Sequence, residues 1–285
     1  MSWETSEDPS IVAHRGFAGR YPENTAPAVR AASAHEETEL VEVDVVPTAD
    51  GTVVCFHDNH LHRRGENRGV TDAHGVVWET DTETVTGATV LDSGATVPRF
   101  GTVLDALEPG VGINVELKNP GSTDSAFASS LSRAAREREC DLWQPFVTNV
   151  VESLKSFDGP VLVSSFYEGA LAALESVAPD LRSAVLIWES LTDGLEIARR
   201  YEVDAVHPPW NLVRGTPFVG EPFHLDRSPV VSEDIVAAAH DAGMSVNVWT
   251  VETWFYAEQL ARAGVDGLIV DYPRLLRRGK GRPAG

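Results

Sequence analysis

Two histidines and three carboxylates stand at strand-like positions of this chain and form the set of residues best suited to chemistry. In Val41-Glu42-Val43-Asp44-Val45 the two-residue period of a strand sends both carboxylates to one face and the valines to the other. Asn114, Glu116 and Lys118 share a face of Ile113–Lys118 by the same rule. Converging charges of one sign repel and lose hydration, at several kcal/mol per ion unless something compensates. A divalent cation would do so, and all-oxygen ligation favours Mg2+, Ca2+ or Mn2+ over zinc. The alternative is that Glu42 and Glu116 simply pair with Arg15 and Lys118. His14 opens the run His14-Arg15-Gly16, and His57 follows a strand-like run as Phe56-His57-Asp58. Imidazole titrates near neutrality, so two of them around a metal can act as base and acid. His35, His60, His62, His74, His224 and His240 are read as structural or surface residues.

The elements that must position these groups alternate. Short β-branched runs at Ile11–His14, Leu40–Val46, Gly112–Lys118, Val161–Phe166, Ser183–Trp188, Val203–His207, Ser245–Thr250 and Gly267–Asp271 read as strands. Between most of them lie stretches with helical spacing, namely Ser125–Glu139, Gly169–Ala178, Leu191–Arg200, Ser232–Ala242 and Thr253–Ala263. Eight alternating units in 285 residues predict an α/β fold, a closed (β/α)8 TIM barrel. The rhythm breaks between Thr48 and Pro98, where only Thr52–Phe56 looks like a strand. That interval, about 47–99, is read as a small insertion after the second barrel strand, at the active-site mouth and without an apolar cluster. A single domain over 10–275 is expected, with flexible termini at 1–9 and 276–285.

The composition sets 43 acidic against 23 basic side chains, a formal charge of −20, with Lys118, Lys155 and Lys280 the only lysines. Such a surface opposes nucleic acid, which needs clustered Lys and Arg, and opposes stable association with anionic membranes. It is the composition expected of a halophilic, haloarchaeal-type protein in a high-salt cytoplasm. Thermal unfolding is therefore expected at higher temperature in molar KCl than in dilute buffer; equal or lower stability in salt would refute this. Met1–Pro9 lacks the pattern of a secretory signal, no apolar run reaches membrane-spanning length, and Cys55 and Cys140 have no metal or disulfide spacing. The expected location is cytoplasmic.

His14-Arg15-Gly16, Pro22-Glu23-Asn24-Thr25, Glu42-Val43-Asp44, Thr48-Ala49-Asp50-Gly51, His57-Asp58, Glu116-Leu117-Lys118, Ser164-Ser165-Phe166, Trp249-Thr250 and Gly264-Val265-Asp266-Gly267 with Asp271-Tyr272-Pro273 resemble, in order and spacing, the glycerophosphodiester phosphodiesterase family. The resemblance runs from about Ile11 to Pro273. It implies a metal-dependent barrel that cleaves glycerophosphodiesters to glycerol phosphate and an alcohol. It further implies that Glu42, Asp44 and Glu116 hold one divalent cation, His14 and His57 form the acid/base pair, and Arg15 and Lys118 contact the phosphate. Asn24 is placed to orient His14 or the substrate, or to cap a helix. Trp249 faces inward, against a glycerol or alcohol moiety or within the core. After His57-Asp58 the stretch Asn59-His60-Leu61-His62-Arg63-Arg64 keeps the family's leucine and first arginine but loses the threonines of its Arg-Thr-Thr run, so the resemblance does not define the leaving-group pocket. Two other readings share these residues: a lysophospholipase D-type enzyme, which needs an apolar rim, and a non-catalytic phosphodiester-binding barrel, which would have lost part of the set. The expected partner is a small-molecule glycerophosphodiester.

Overall fold

Alternation along the strands sorts side chains between two cores. Val41, Val43 and Val45 join the apolar layer under the helices, whereas Leu40 packs with Val12 and Ile269 inside the sheet's curve. The computed structural model describes residues 8–62, 68–224, 228–229, 231 and 233–276. The parallel strands are β1 (Ser10–Ala13), β2 (Thr38–Pro47), β4 (Gly112–Leu117), β5 (Val161–Ser165), β6 (Ser183–Leu186), β7 (Ala205–His207), β8 (Ser245–Val251) and β9 (Gly267–Val270). Each pairs with its neighbour, and β1 closes the sheet by pairing with both β2 and β9. The result is the eight-stranded barrel expected from the rhythm of the sequence. The short strand β3 (Val53–Cys55) adds to β2 antiparallel, with Val45 opposite Cys55.

The register Ala13↔Val270 puts the residues that follow, His14 and Asp271, side by side. Asp44↔Glu116 and Glu42↔Asn114 set β2 beside β4 with their polar residues level. Barrel closure thus gathers at one end groups that are far apart in the chain.

Two expectations need correction. The stretch Ser125–Glu139 is not one helix; α4 spans Arg133–Leu154 and buries Trp143, Phe146, Val147, Val150 and Leu154 at helical spacing. Asn119 accepts hydrogen bonds from the Gly121 and Ser122 amides, and Ser125 Oγ binds Glu139 and the Trp143 indole. Polar side chains here compete for local hydrogen bonds, and the helix starts only where Ser132 caps it. The other correction concerns the insertion, which does carry an apolar cluster: Val46, Val54, Phe56, Leu61, Val77 and Val90 pack together in its interior. These residues are scattered singly with no period, so the sequence hid them. Residues 1–7 and 277–285, on which most of the expected flexible termini fall, lie outside the described residues, as do Arg63 and Arg64. Among the described residues no helix is long and apolar enough to cross a membrane.

Candidate active site

His14, Arg15 and Gly16 leave β1 in a tight turn with Arg15 at φ 50° and Gly16 at φ 77°. A Cβ at Gly16 would sit 3.0–3.1 Å from Ala28 and Val29 of α1 (Ala26–Ser33), so glycine is required by close approach as well as by conformation. The strained Arg15 backbone directs its N–H to Glu42 Oε2 at 2.8 Å, while its Nε lies 3.0 Å from Asp44 Oδ2. Asn24 does not reach His14. Its Nδ2 donates to Asp44 Oδ2 at 2.8 Å and its Oδ1 accepts from the Asp44 amide at 3.1 Å, and the cap of α1 is Thr25.

Glu42, Asp44 and Glu116 are buried and each offers a carboxylate oxygen within 4.8 Å of the others. Glu42 Oε1 and Asp44 Oδ1 have no hydrogen-bond donor, and Glu116 Oε1 faces the Lys118 ammonium at 2.7 Å. Orphaned carboxylate oxygens at this separation make a cluster able to hold a divalent cation. The charges confirm the tension. Burial, then repulsion from Asp44 and Glu116, pushes the Glu42 carboxyl well above the usual range. Burial also lifts Glu116 to about 7, against the pull of Lys118. Asp44 stays well below the usual range despite its burial, because Arg15 and Lys118 stand beside it. The expectation of ion pairing is thus met in part: Lys118 does pair with Glu116, but two cations serve three acids.

Each histidine has a carboxylate on Nδ1. His14 Nδ1 lies 2.6 Å from Asp271 Oδ1, and His57 Nδ1 lies 2.6 Å from Asp58 Oδ1. Occupying Nδ1 fixes the ring and leaves Nε2 as the site of proton exchange. His57 is lowered to about 3, by burial first and by the Arg15 and Lys118 charges next, so its ring is neutral at pH 7. Asp58 is held in turn by the Arg68 backbone N–H at 2.9 Å, and the Arg68 guanidinium grips Glu23 through two bonds of 2.7 and 2.6 Å. Glu23 reaches Arg15 at 3.3 Å. One polar chain therefore links the insertion to the turn after β1.

Trp249 sits apart from the carboxylates. Its indole Nε1 donates to the His207 carbonyl at 2.7 Å, and its ring lies 5.6 Å from Phe166, which in turn lies 5.7 Å from Lys118 Nζ.

Comparison with known proteins agrees with this geometry. The profile of the glycerophosphoryl diester phosphodiesterase family matches residues 14–275. The chain belongs to that family. A glycerophosphodiester phosphodiesterase of Bacillus altitudinis is 28% identical over 269 residues, covering 92% of this chain and 94% of the relative. One of Caldanaerobacter subterraneus is 25% identical over 277 residues, covering 93% and 95%. Among solved structures, a phosphodiesterase of Oleispira antarctica in complex with sn-glycerol-3-phosphate superposes with TM-score 0.70 at 23% identity, over 93% of this chain and 94% of that one. Membership makes the protein a phosphoric diester hydrolase of the glycerophosphodiester phosphodiesterase type.

Sequence reasoning missed several residues of this phosphodiesterase. Asp58 was legible as the neighbour of His57, and Asp271 as the polar end of the last strand, but neither position announces an imidazole partner. Glu23 and Arg68 gave no signal, since the polar insertion offers many such residues. His207, buried in β7 with its Nε2 3.0 Å from Asn247 Nδ2 and lowered to about 3 by burial, was likewise passed over.

Proposed function

We propose that the protein hydrolyses glycerophosphodiesters to glycerol phosphate and an alcohol, with His57 as proton acceptor and His14 as proton donor. The observation that carries this is the pair of imidazoles, each locked through Nδ1 by a carboxylate at 2.6 Å, at the same end of the barrel as the buried carboxylate cluster. His57, neutral at pH 7, takes the proton from the nucleophile as its oxygen bonds to phosphorus; that nucleophile is water, or the substrate's own glycerol hydroxyl with a following attack of water that opens the cyclic phosphate. His14 Nε2 gives a proton to the alcohol oxygen as its bond to phosphorus breaks. The nucleophile's proton and the leaving group's proton thus balance.

Glu42, Asp44 and Glu116 would hold one divalent cation, Mg2+, Ca2+ or Mn2+, which supplies charge for the phosphate oxygens. Asn24 acts by positioning Asp44, using both ends of its amide. Arg15 and Lys118 are already shared with carboxylates, and both remain protonated; a phosphate entering beside them gains charge stabilisation without new reorganisation. All seven residues of the set are present and ordered for use, which favours an enzyme over a mere binding barrel.

Hydrolysis of glycerophosphocholine, glycerophosphoglycerol and bis(p-nitrophenyl)phosphate is expected in added Mg2+, Mn2+ or Ca2+ and is lost in EDTA. Undiminished activity in the chelator, or none with any of these ions, removes the proposed chemistry.

A further inference from the structure

Lys118 Nζ faces the ring of Phe166, and from Phe166 a run of aromatic contacts leads outward across the barrel mouth. Phe166 meets Trp249 and Trp188 at 5.6 Å and Phe127 at 5.2 Å. His224 lies 3.9 Å from Trp188, and Phe223 lies 6.0 Å from Trp249. Phe127 and Phe223 are 42% and 37% exposed, so the run emerges at solvent.

Most of the exposure is at one end of the barrel. Seven large apolar residues are exposed among the described ones, and Phe127, Val219, Phe223, Trp254, Phe255 and Tyr272 all lie on segments that leave the C-terminal ends of barrel strands. The seventh, Leu91, is in the insertion. A protein with net charge −20 that shows its apolar surface at the site's own end presents an apolar ligand surface there.

We propose, resting on the phosphodiesterase reading above, that this ridge receives an apolar chain on one of the two alcohol arms of the diester. A cationic head group is the rival occupant, since aromatic faces also attract ammonium groups. Two observations favour the chain. Lys118 already stands over Phe166, where a second cation would be repelled. The rings also lie against one another, Trp188 and Trp249 nearly parallel at 21°, and make a continuous surface rather than separated walls. The apolar rim that a chain-bearing substrate needs is thus opposite the insertion, on aromatic residues that stand singly along the chain and meet only when the barrel closes.

The test is a series of glycerophosphoalkanols carrying ethyl, butyl and octyl groups, whose leaving alcohols have similar acidity, with a parallel lysophospholipid series carrying short acyl chains on the glycerol arm. In one of the two series kcat/KM is expected to rise at least about tenfold with chain length, as each buried methylene contributes. The series that rises tells which arm lies on the ridge. Phe127→Ser and Phe223→Ser should flatten the octyl-to-ethyl ratio or its acyl equivalent, and Leu91→Ser should leave it unchanged. The ratio cancels any loss of folded enzyme. Flat series on both arms with measurable turnover, a ratio unmoved by both Phe substitutions, or preference for glycerophosphocholine over its neutral 3,3-dimethylbutyl isostere each overturn the proposal. No turnover of any ester refutes the phosphodiesterase reading itself.

Discussion

His14→Ala and His57→Ala each lower turnover of an alkyl glycerophosphodiester by at least about 10²-fold, the usual contribution of a positioned acid or base. The two losses differ in kind. An alkoxide leaving group needs the proton from His14, whereas p-nitrophenolate leaves without one. His14→Ala should therefore be far less damaging on bis(p-nitrophenyl)phosphate, while His57→Ala should damage both substrates alike. Anchoring through Nδ1, by Asp271 and by Asp58, suits both rings to proton exchange at Nε2, and the division between them rests on the burial that keeps His57 neutral. Steady-state kinetics on the two substrates decides it; equal losses for both variants on both substrates would take the division of labour away, and wild-type rates would remove the residues from the mechanism.

Glu42→Gln should abolish activity and yet raise the melting temperature of the chelated protein. Glu42 sits in a cluster where its charge is opposed by Asp44 and Glu116, and glutamine keeps an oxygen for the Arg15 amide. A gain of about 1 kcal/mol corresponds to roughly 2–4 °C in a chain of this size. Wild-type enzyme should instead gain stability from Mg2+ or Mn2+, by about 2.7 kcal/mol at a hundredfold excess over Kd, and the variant should not.

The pH dependence has a defined sign. Glu116 is raised from 4.5 to about 7 in the fold, so the unfolded chain releases its proton first. Its contribution to the stability of the chelated protein is whole below pH 4.5 and declines as pH rises towards 7; Glu42, raised as well, adds a decline of the same sign. A bound cation replaces those protons, so the metal-induced shift in melting temperature should grow between pH 5 and about 7. Melts with Mg2+ and with EDTA across that range test this, and a shift that stays constant or shrinks would sink the carboxylate cluster as the metal site.

Much of the site was legible because strand alternation is local. Glu42 and Asp44 fall on one face whatever the rest of the chain does, and so do Asn114 and Glu116. The turn at His14-Arg15-Gly16 was legible too, although only the packing of α1 against Gly16 explains the glycine. The start of α4 was misplaced because Ser and Asn side chains rewrote the hydrogen bonding of the loop before it. The insertion's core was invisible for a different reason: its apolar residues obey no period, being collected by bridges and turns rather than by one long element.

Short-range periodicity and adjacency specify the barrel, the faces on which the carboxylates lie and the two histidines. Their partners come from the closed fold. Asp271 meets His14 across 257 residues because β1 lies beside β9 when the barrel closes. Asn24 holds Asp44, Arg68 ties Glu23 to Asp58, and the aromatic ridge assembles from the ends of five strands and their loops. Periodicity encodes which way a side chain faces, but what it meets depends on closure of the whole sheet, and no local pattern carries that.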